Sequence, residues 1–231
     1  MSNPMSFYPF SQADFEVVEF HNQLHPRIKV EPVYFNSGLS PRPDIYGRAI
    51  VLHSLFKALD NLPEHYGFLV WDVYRPRAVQ AKVFNWMRDE IRKKMPSLSD
   101  EESFAETRKY ASLPSPVGDE YCAPHLSGGA IDLTIINLLS GQVLEMGTPL
   151  DECSERAHLD YFDQMAELTV EEQDIRNNRH LLRLAMEQAG FTSYQYEWWH
   201  YDLGTVFWSS VMNQPTVFGP LFGDNEWPVN S

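Results

Sequence analysis

Apolar positions along the chain change period several times, and each change marks an element. From Tyr46, residues Ala49, Leu52, Phe56 and Leu59 recur at helical spacing and stop before Pro63, which predicts an amphipathic helix. GFLVWDVY, residues 67–74, is rich in Val and aromatics and is terminated by Arg75 and Pro76, so it predicts a strand. Val79, Val83, Trp86 and Ile91 then share one helical face that Pro96 closes. Ser99 and Glu102 form a capping box for a short polar helix ending near Tyr110.

SLPSPVGDEYCAP is a loop, and the next strand, GGAIDLTII, is entered through a flexible turn. A second capping box, Thr169 with Glu172, opens a long helix continued by Leu181, Leu184, Ala185 and Gln188 and ended by Gly190. FTSYQYEWWHYDL predicts a last strand or strand pair. Before all of these, residues 1–45 are rich in Pro and aromatics and read as irregular, with IKVEPVYF giving at best short extended pieces broken by Pro32. After them comes an aromatic tail, 204–231, expected to pack over the core. Strands and helices alternate without a regular βαβ rhythm, which predicts an α+β fold: a central, mainly antiparallel sheet flanked by helices in a single domain, 1–231.

Composition narrows the function. The chain has 231 residues, enough for one sizeable core, and 18 Lys+Arg against 32 Asp+Glu give a net charge of -14. Such a charge repels phosphate backbones and anionic membrane faces, so neither nucleic acid nor membrane is an expected partner. No Lys or Arg precedes Arg27 and no long apolar run occurs, which predicts a cytoplasmic protein. The two cysteines, Cys122 and Cys153, are read as free thiols, with His158 close enough in sequence to approach Cys153. Nothing in the sequence indicates an oligomer.

Asp132, inside AIDLTII, is the first residue that asks for chemistry. An ionised carboxylate in so apolar a strand needs a partner, and a metal would supply one. His125 stands seven residues earlier, across glycines that can turn the chain so that both side chains converge. EWWH, residues 197–200, adds Glu197 and His200. Two imidazoles and one carboxylate around an open position make a ligand set of hydrolytic zinc sites, and a further carboxylate nearby suits a general base. Arg75, at a strand end, suits stabilisation of an oxyanion. Each residue also has a plainer reading: a hydrogen-bonded His125, a solvated Glu197 beside packing tryptophans, and an ion pair between Arg75 and Asp72.

Four stretches taken together go further. VYRP at 73–76, HLSGGAIDLT at 125–134, MGTPLD at 146–151 and EWWHY at 197–201 resemble, in order and spacing, the zinc D-alanyl-D-alanine dipeptidases of the VanX type. The resemblance covers roughly residues 45–203. It implies a Hedgehog/D,D-peptidase-like fold and one Zn2+ per chain, with His125, Asp132 and His200 as ligands. It further implies Glu197 as general base, Arg75 as the group stabilising the tetrahedral intermediate, and Asp151 as the acid that holds the substrate's ammonium. The activity implied is hydrolysis of D-alanyl-D-alanine or a related D-containing dipeptide by zinc-bound water. A D,D-carboxypeptidase acting on muropeptides would keep the same site in a more open pocket. A binding module that keeps zinc but not turnover, and a non-haem iron oxygenase, are the readings from other classes. Two departures from the family bear on the choice of dipeptide: Ala123 stands where Ser is usual, and VYFNSGL only loosely matches the amino-terminal motif.

Overall fold

The computed structural model describes residues 10–229, so the outermost residues of the 1–45 segment and of the 204–231 tail lie outside the described residues. Within the segment expected to be irregular, two short strands form, β1 (Val17–Phe20) and β2 (Ile28–Val30), followed by one turn of helix, α1 (Val33–Asn36). Runs of three or four residues are too short for a period to register, and pairing with distant strands defines them. β1 pairs antiparallel with β3 (Ile45–Arg48), which leads directly into α2 (Ala49–Asp60). Tyr46, expected in the first turn of a helix, is thus in a strand. Gly47 lies there because a Cβ would meet Val73 Cγ1 at 2.6 Å and the Phe20 ring at 2.8 Å.

β4 (Tyr66–Asp72), α3 (Arg77–Lys94), α4 (Asp100–Tyr110) and β5 (Ala130–Asn137) follow, then α5 (Val170–Gln188), β6 (Thr192–Tyr194), β7 (Glu197–Asp202) and α6 (Val206–Met212). Both expected capping boxes are present: Ser99 Oγ accepts from Glu102 N at 3.2 Å, and Thr169 Oγ1 accepts from Glu172 N at 3.2 Å. The main sheet has the order β2-β4-β5-β7-β6, with β2 parallel to β4 and the other pairs antiparallel. Helices lie alongside it, in an α+β arrangement. The helix faces shift slightly from expectation. Leu184 is exposed while Ile175, Leu182, Ala185 and Met186 form the buried face of α5. Trp86 on α3 is half-buried, and Val79, Val83, Phe84, Met87 and Ile91 point inward instead.

β5 is buried on both faces, which explains its continuous apolar run. Trp198, Trp199 and Tyr201 of β7 are among the largest fully buried side chains, each removing roughly 150–250 Å² from water. The tail packs over this core as expected. Phe218 is buried against Phe10 and Phe15, with ring centroids 5.5 and 5.4 Å away. Leu221 N donates to Leu126 O at 2.9 Å, which anchors the tail behind the turn that carries His125. Arg48 strengthens that anchor, donating from Nε to Ser127 O and from Nη2 to Gly219 O, both at 2.8 Å.

Cys122 and Cys153 are free and buried. Burial raises both thiols, Cys122 to about 11, so neither is an activated nucleophile. His158 bonds the Tyr110 hydroxyl at 3.1 Å rather than a sulfur. No helix among the described residues is long and apolar enough to cross a membrane.

Candidate active site

The register of the three central strands assembles the first part of the site. Asp72 of β4 pairs with Asp132 of β5, and Asp132 pairs with His200 of β7, so three ionisable side chains stand in one row across the sheet. His125 arrives from the side on a 3-10 turn, His125–Ser127, ended by Gly128 at φ +69°. His125 Nε2 lies 3.2 Å from His200 Nδ1 and 3.2 Å from Asp132 Oδ2, and His200 Nδ1 lies 3.0 Å from Asp132 Oδ1. These three buried residues form a cluster able to hold a metal ion.

The second nitrogen of each ring is also engaged. His125 Nδ1 sits 2.8 Å from Val73 O and donates to it, leaving Nε2 with its lone pair directed into the cluster. His200 Nε2 is 3.0 Å from Asp202 Oδ2, which orients Nδ1 toward the same point, and Thr205 Oγ1 holds Asp202 Oδ1 at 2.7 Å. Asp202 escaped the sequence reading, although it shares a strand face with His200 at a separation of two and could have been found that way.

Two strand irregularities border the cluster. The β4–β5 register shifts between Val70 and Asp72, and the β6–β7 register shifts between Ser193 and Tyr194, where Tyr194 pairs with Glu197. In a regular strand Glu197 and His200, three apart, would face opposite sides. The irregular pairing turns both toward one cleft, and Glu197 Oε2 lies 3.9 Å from His200 Nδ1. Trp198 and Trp199 hold this geometry: their rings cross at 88° with centroids 5.4 Å apart, and Trp198 Nε1 donates to Thr148 Oγ1 at 2.8 Å.

That last bond ties β7 to the MGTPLD loop. Arg179 of α5 secures the same loop, donating from Nε to Met146 O, from Nη1 to His158 O and from Nη2 to Arg156 O at 2.8–2.9 Å. Asp151, at the loop's end, adopts the left-handed φ of 61°, an uncommon conformation for a residue with a side chain. Its Oδ1 accepts from the Tyr34 hydroxyl at 3.1 Å.

Tyr34 in turn accepts from Arg75 Nη2 at 3.0 Å, and Arg75 also donates to Asp72 Oδ2 at 2.8 Å, Asp132 Oδ2 at 3.1 Å and Gln80 Oε1 at 3.2 Å. The plain reading of Arg75 as a partner of Asp72 is therefore correct, but the pair is part of the site rather than an alternative to it. Arg75 bonds two carboxylates that face each other across β4 and β5 and offsets part of their repulsion. His125, Asp132, Asp151, Glu197, His200 and Arg75 all line one cleft, which Ala123 also lines.

Burial and charge set the protonation of the cluster. Burial works against the Asp132 carboxylate, but His125 and His200 outweigh it and hold its pKa well below the usual range. Burial likewise opposes the His200 cation, and Asp202 and Asp132 raise it well above its ordinary value nonetheless. For Glu197 burial wins: it lifts the pKa well above normal, with His200 and Arg75 opposing and Asp132 and Asp151 adding to the rise. Burial also lifts Asp151, to about 7, against the pull of Arg75.

A family model described as D-ala-D-ala dipeptidase matches residues 55–215, more than half of the chain. The chain belongs to the D-Ala-D-Ala dipeptidase family. Within that family it is 33% identical over 141 residues to a D-alanyl-D-alanine dipeptidase of Enterococcus faecalis, a match covering 60% of this chain and 62% of that one. A D-alanyl-D-alanine dipeptidase of Enterococcus faecium is 30% identical over 165 residues, 69% of this chain and 73% of the relative. One from Synechocystis is 30% identical over 168 residues, 68% of this chain and 67% of the relative. The chain thus spans a little under two thirds of the first of these dipeptidases. The matched segment contains Arg75, His125, Asp132, Asp151, Glu197 and His200, while Tyr34 lies before it.

Proposed function

We propose that this chain hydrolyses D-alanyl-D-alanine, or a related dipeptide containing D-residues, with one zinc ion held by His125, Asp132 and His200. The observation that carries this reading is the convergence of those three donors beside a buried Glu197 that is not itself needed as a ligand. The donor set suits zinc. The two ring nitrogens, His125 Nε2 and His200 Nδ1, stand 3.2 Å apart, close to the ~3.3 Å edge of a tetrahedron with bonds of ~2.0–2.1 Å, and Asp132 turns one oxygen to each, Oδ2 at 3.2 Å and Oδ1 at 3.0 Å. Imidazole and carboxylate together fit a borderline ion, and three protein donors leave a position for water.

Zinc held there supplies a Lewis acid and brings the pKa of a water down to ~7. The chain's own groups do the remainder. Glu197 accepts a proton from the attacking water and returns it to the leaving amine nitrogen as the peptide C–N bond breaks. Burial raises its pKa and so strengthens it as a proton acceptor. Arg75, on the cleft wall, opposes the negative charge that develops on the carbonyl oxygen. Asp151, positioned by Tyr34, holds the substrate's ammonium, and that demand for a free amino terminus favours dipeptides over longer muropeptides.

The test is a substrate panel offered to the zinc-loaded protein: D-Ala-D-Ala, its N-acetyl derivative, a tripeptide and the L,L isomer. Cleavage of the free D,D-dipeptide and failure on the N-acetylated one support the reading. Equal cleavage of both would transfer the protein to the carboxypeptidase class, and cleavage of none would contradict hydrolysis altogether.

A further inference from the structure

Trp86 is only half-buried where it packs against the cluster of Phe84, Met87 and Ile91. It lines a cavity of about 210 Å³ together with Val33, Tyr34 and Leu39, and Ser37 and Asp151 complete the lining. The cavity adjoins the catalytic cleft at one residue common to both, Asp151. The catalytic function does not use this space.

We infer that the cavity is the subsite for the side chain of the substrate's N-terminal residue, and that it takes an apolar side chain larger than methyl. The inference rests on the dipeptidase reading, in which Asp151 holds the ammonium. Ammonium and side chain are bonded to the same Cα, so an ammonium placed at Asp151 leaves the side chain at the wall where the two cavities meet. A methyl group fills little of 210 Å³, given that an apolar cavity of ~150 Å³ accepts benzene. The chemistry of the lining sets the class. Val33, Leu39, Trp86 and the Tyr34 ring favour leucine, methionine or phenylalanine, and the Asp151 carboxylate disfavours an acidic side chain. Each methylene placed in such a pocket changes kcat/KM by roughly 10–200-fold, which is ample for selection.

Steady-state kinetics on D-Leu-D-Ala and D-Ala-D-Ala test the inference. The zinc-loaded protein is expected to show kcat/KM for D-Leu-D-Ala equal to or above that for D-Ala-D-Ala. Leu39→Trp, which fills the cavity, should lower the ratio of the two at least tenfold. Ser37→Trp, which closes it from an exposed position on the rim, should do the same without burdening the core. A wild-type ratio below one, or a ratio that neither variant moves, overturns the subsite while leaving the dipeptidase reading standing. Failure to cleave either dipeptide overturns both.

Discussion

At the scale of single residues, the site is a set of charges that would be costly alone and are tolerable together. Asp72 and Asp132 face each other across two strands, and Arg75 bonds both. An isolated buried carboxylate costs several kcal/mol, so removing the guanidinium would fall hardest on Asp72, for which Arg75 is the main opposing charge, while Asp132 keeps His125 and His200. Asp151 is the residue whose titration is most readily observed. With burial lifting it to about 7, and the ionised form needed to hold an ammonium, kcat/KM should rise with pH through the neutral range. A cation bound at Asp132 cancels one of the charges that raise Asp151 and moves this limb to lower pH. Asp151→Asn should remove the limb and lower kcat/KM by about 10–100-fold, the worth of a hydrogen bond to a charged group of about 1.5–3 kcal/mol. A pH profile of the variant that keeps the wild-type limb would assign it elsewhere. His125, Asp132, Glu197 and His200 were legible in the sequence because two motifs contain them. Tyr34 was marked only by the loose motif match in VYFNSGL, and its contact with Asp151, 117 positions away, was not legible.

At the scale of elements, long periodic segments were legible and short ones were not. α3 and α5 repeat their apolar face over several turns and carry clear stop signals. β1 and β3 have four residues each, and the second includes Gly47 and Arg48, so pairing rather than pattern makes them strands. The irregular pairing at Glu197 was equally hidden: the sequence shows ExxH, and only the register shift shows that both ends face one cleft. The MGTPLD loop depends on Gly147, at φ +85°, where a Cβ would meet the Phe162 ring at 2.8 Å and Ile175 Cγ2 at 3.0 Å. Gly147→Ala should therefore cost about 2 kcal/mol or more, from strain and overpacking together. For a chain of this size the melting temperature should fall by roughly 4 °C or more. Because the loop carries Asp151, KM for a dipeptide should rise as well. A variant with unchanged melting temperature would show that the loop can relax around the added methyl.

At the scale of the molecule, the sheet places Asp132 and His200 side by side and the tail secures the turn that carries His125. The tail's part was foreseen only as packing. Its anchors, Arg48 to Gly219 and Leu221 to Leu126, join segments far apart in sequence and place its weight behind His125. A metal bound by β5, β7 and this turn crosslinks all three, so its removal should be felt globally. Chelation should lower the melting temperature, and one equivalent of zinc should restore it. With free zinc at 100 times the dissociation constant the gain is about 2.7 kcal/mol, or roughly 5–11 °C for this size of chain. Identical melting with and without chelator would mean that the cluster holds no ion in solution. The net charge of -14 leaves a zwitterionic dipeptide little affected, in keeping with recognition by local groups rather than by long-range steering.

In the proposed mechanism, metal holding and proton transfer are divided between His125, Asp132 and His200 on one side and Glu197 on the other. Paired measurement of zinc content and D-alanine release from D-Ala-D-Ala, for the wild type and Glu197→Ala, tests that division most directly. One zinc per chain is expected in both proteins, with release slower in the variant by about 10²–10⁴-fold. A variant that retains full turnover, or one that loses its zinc along with its activity, would contradict that division.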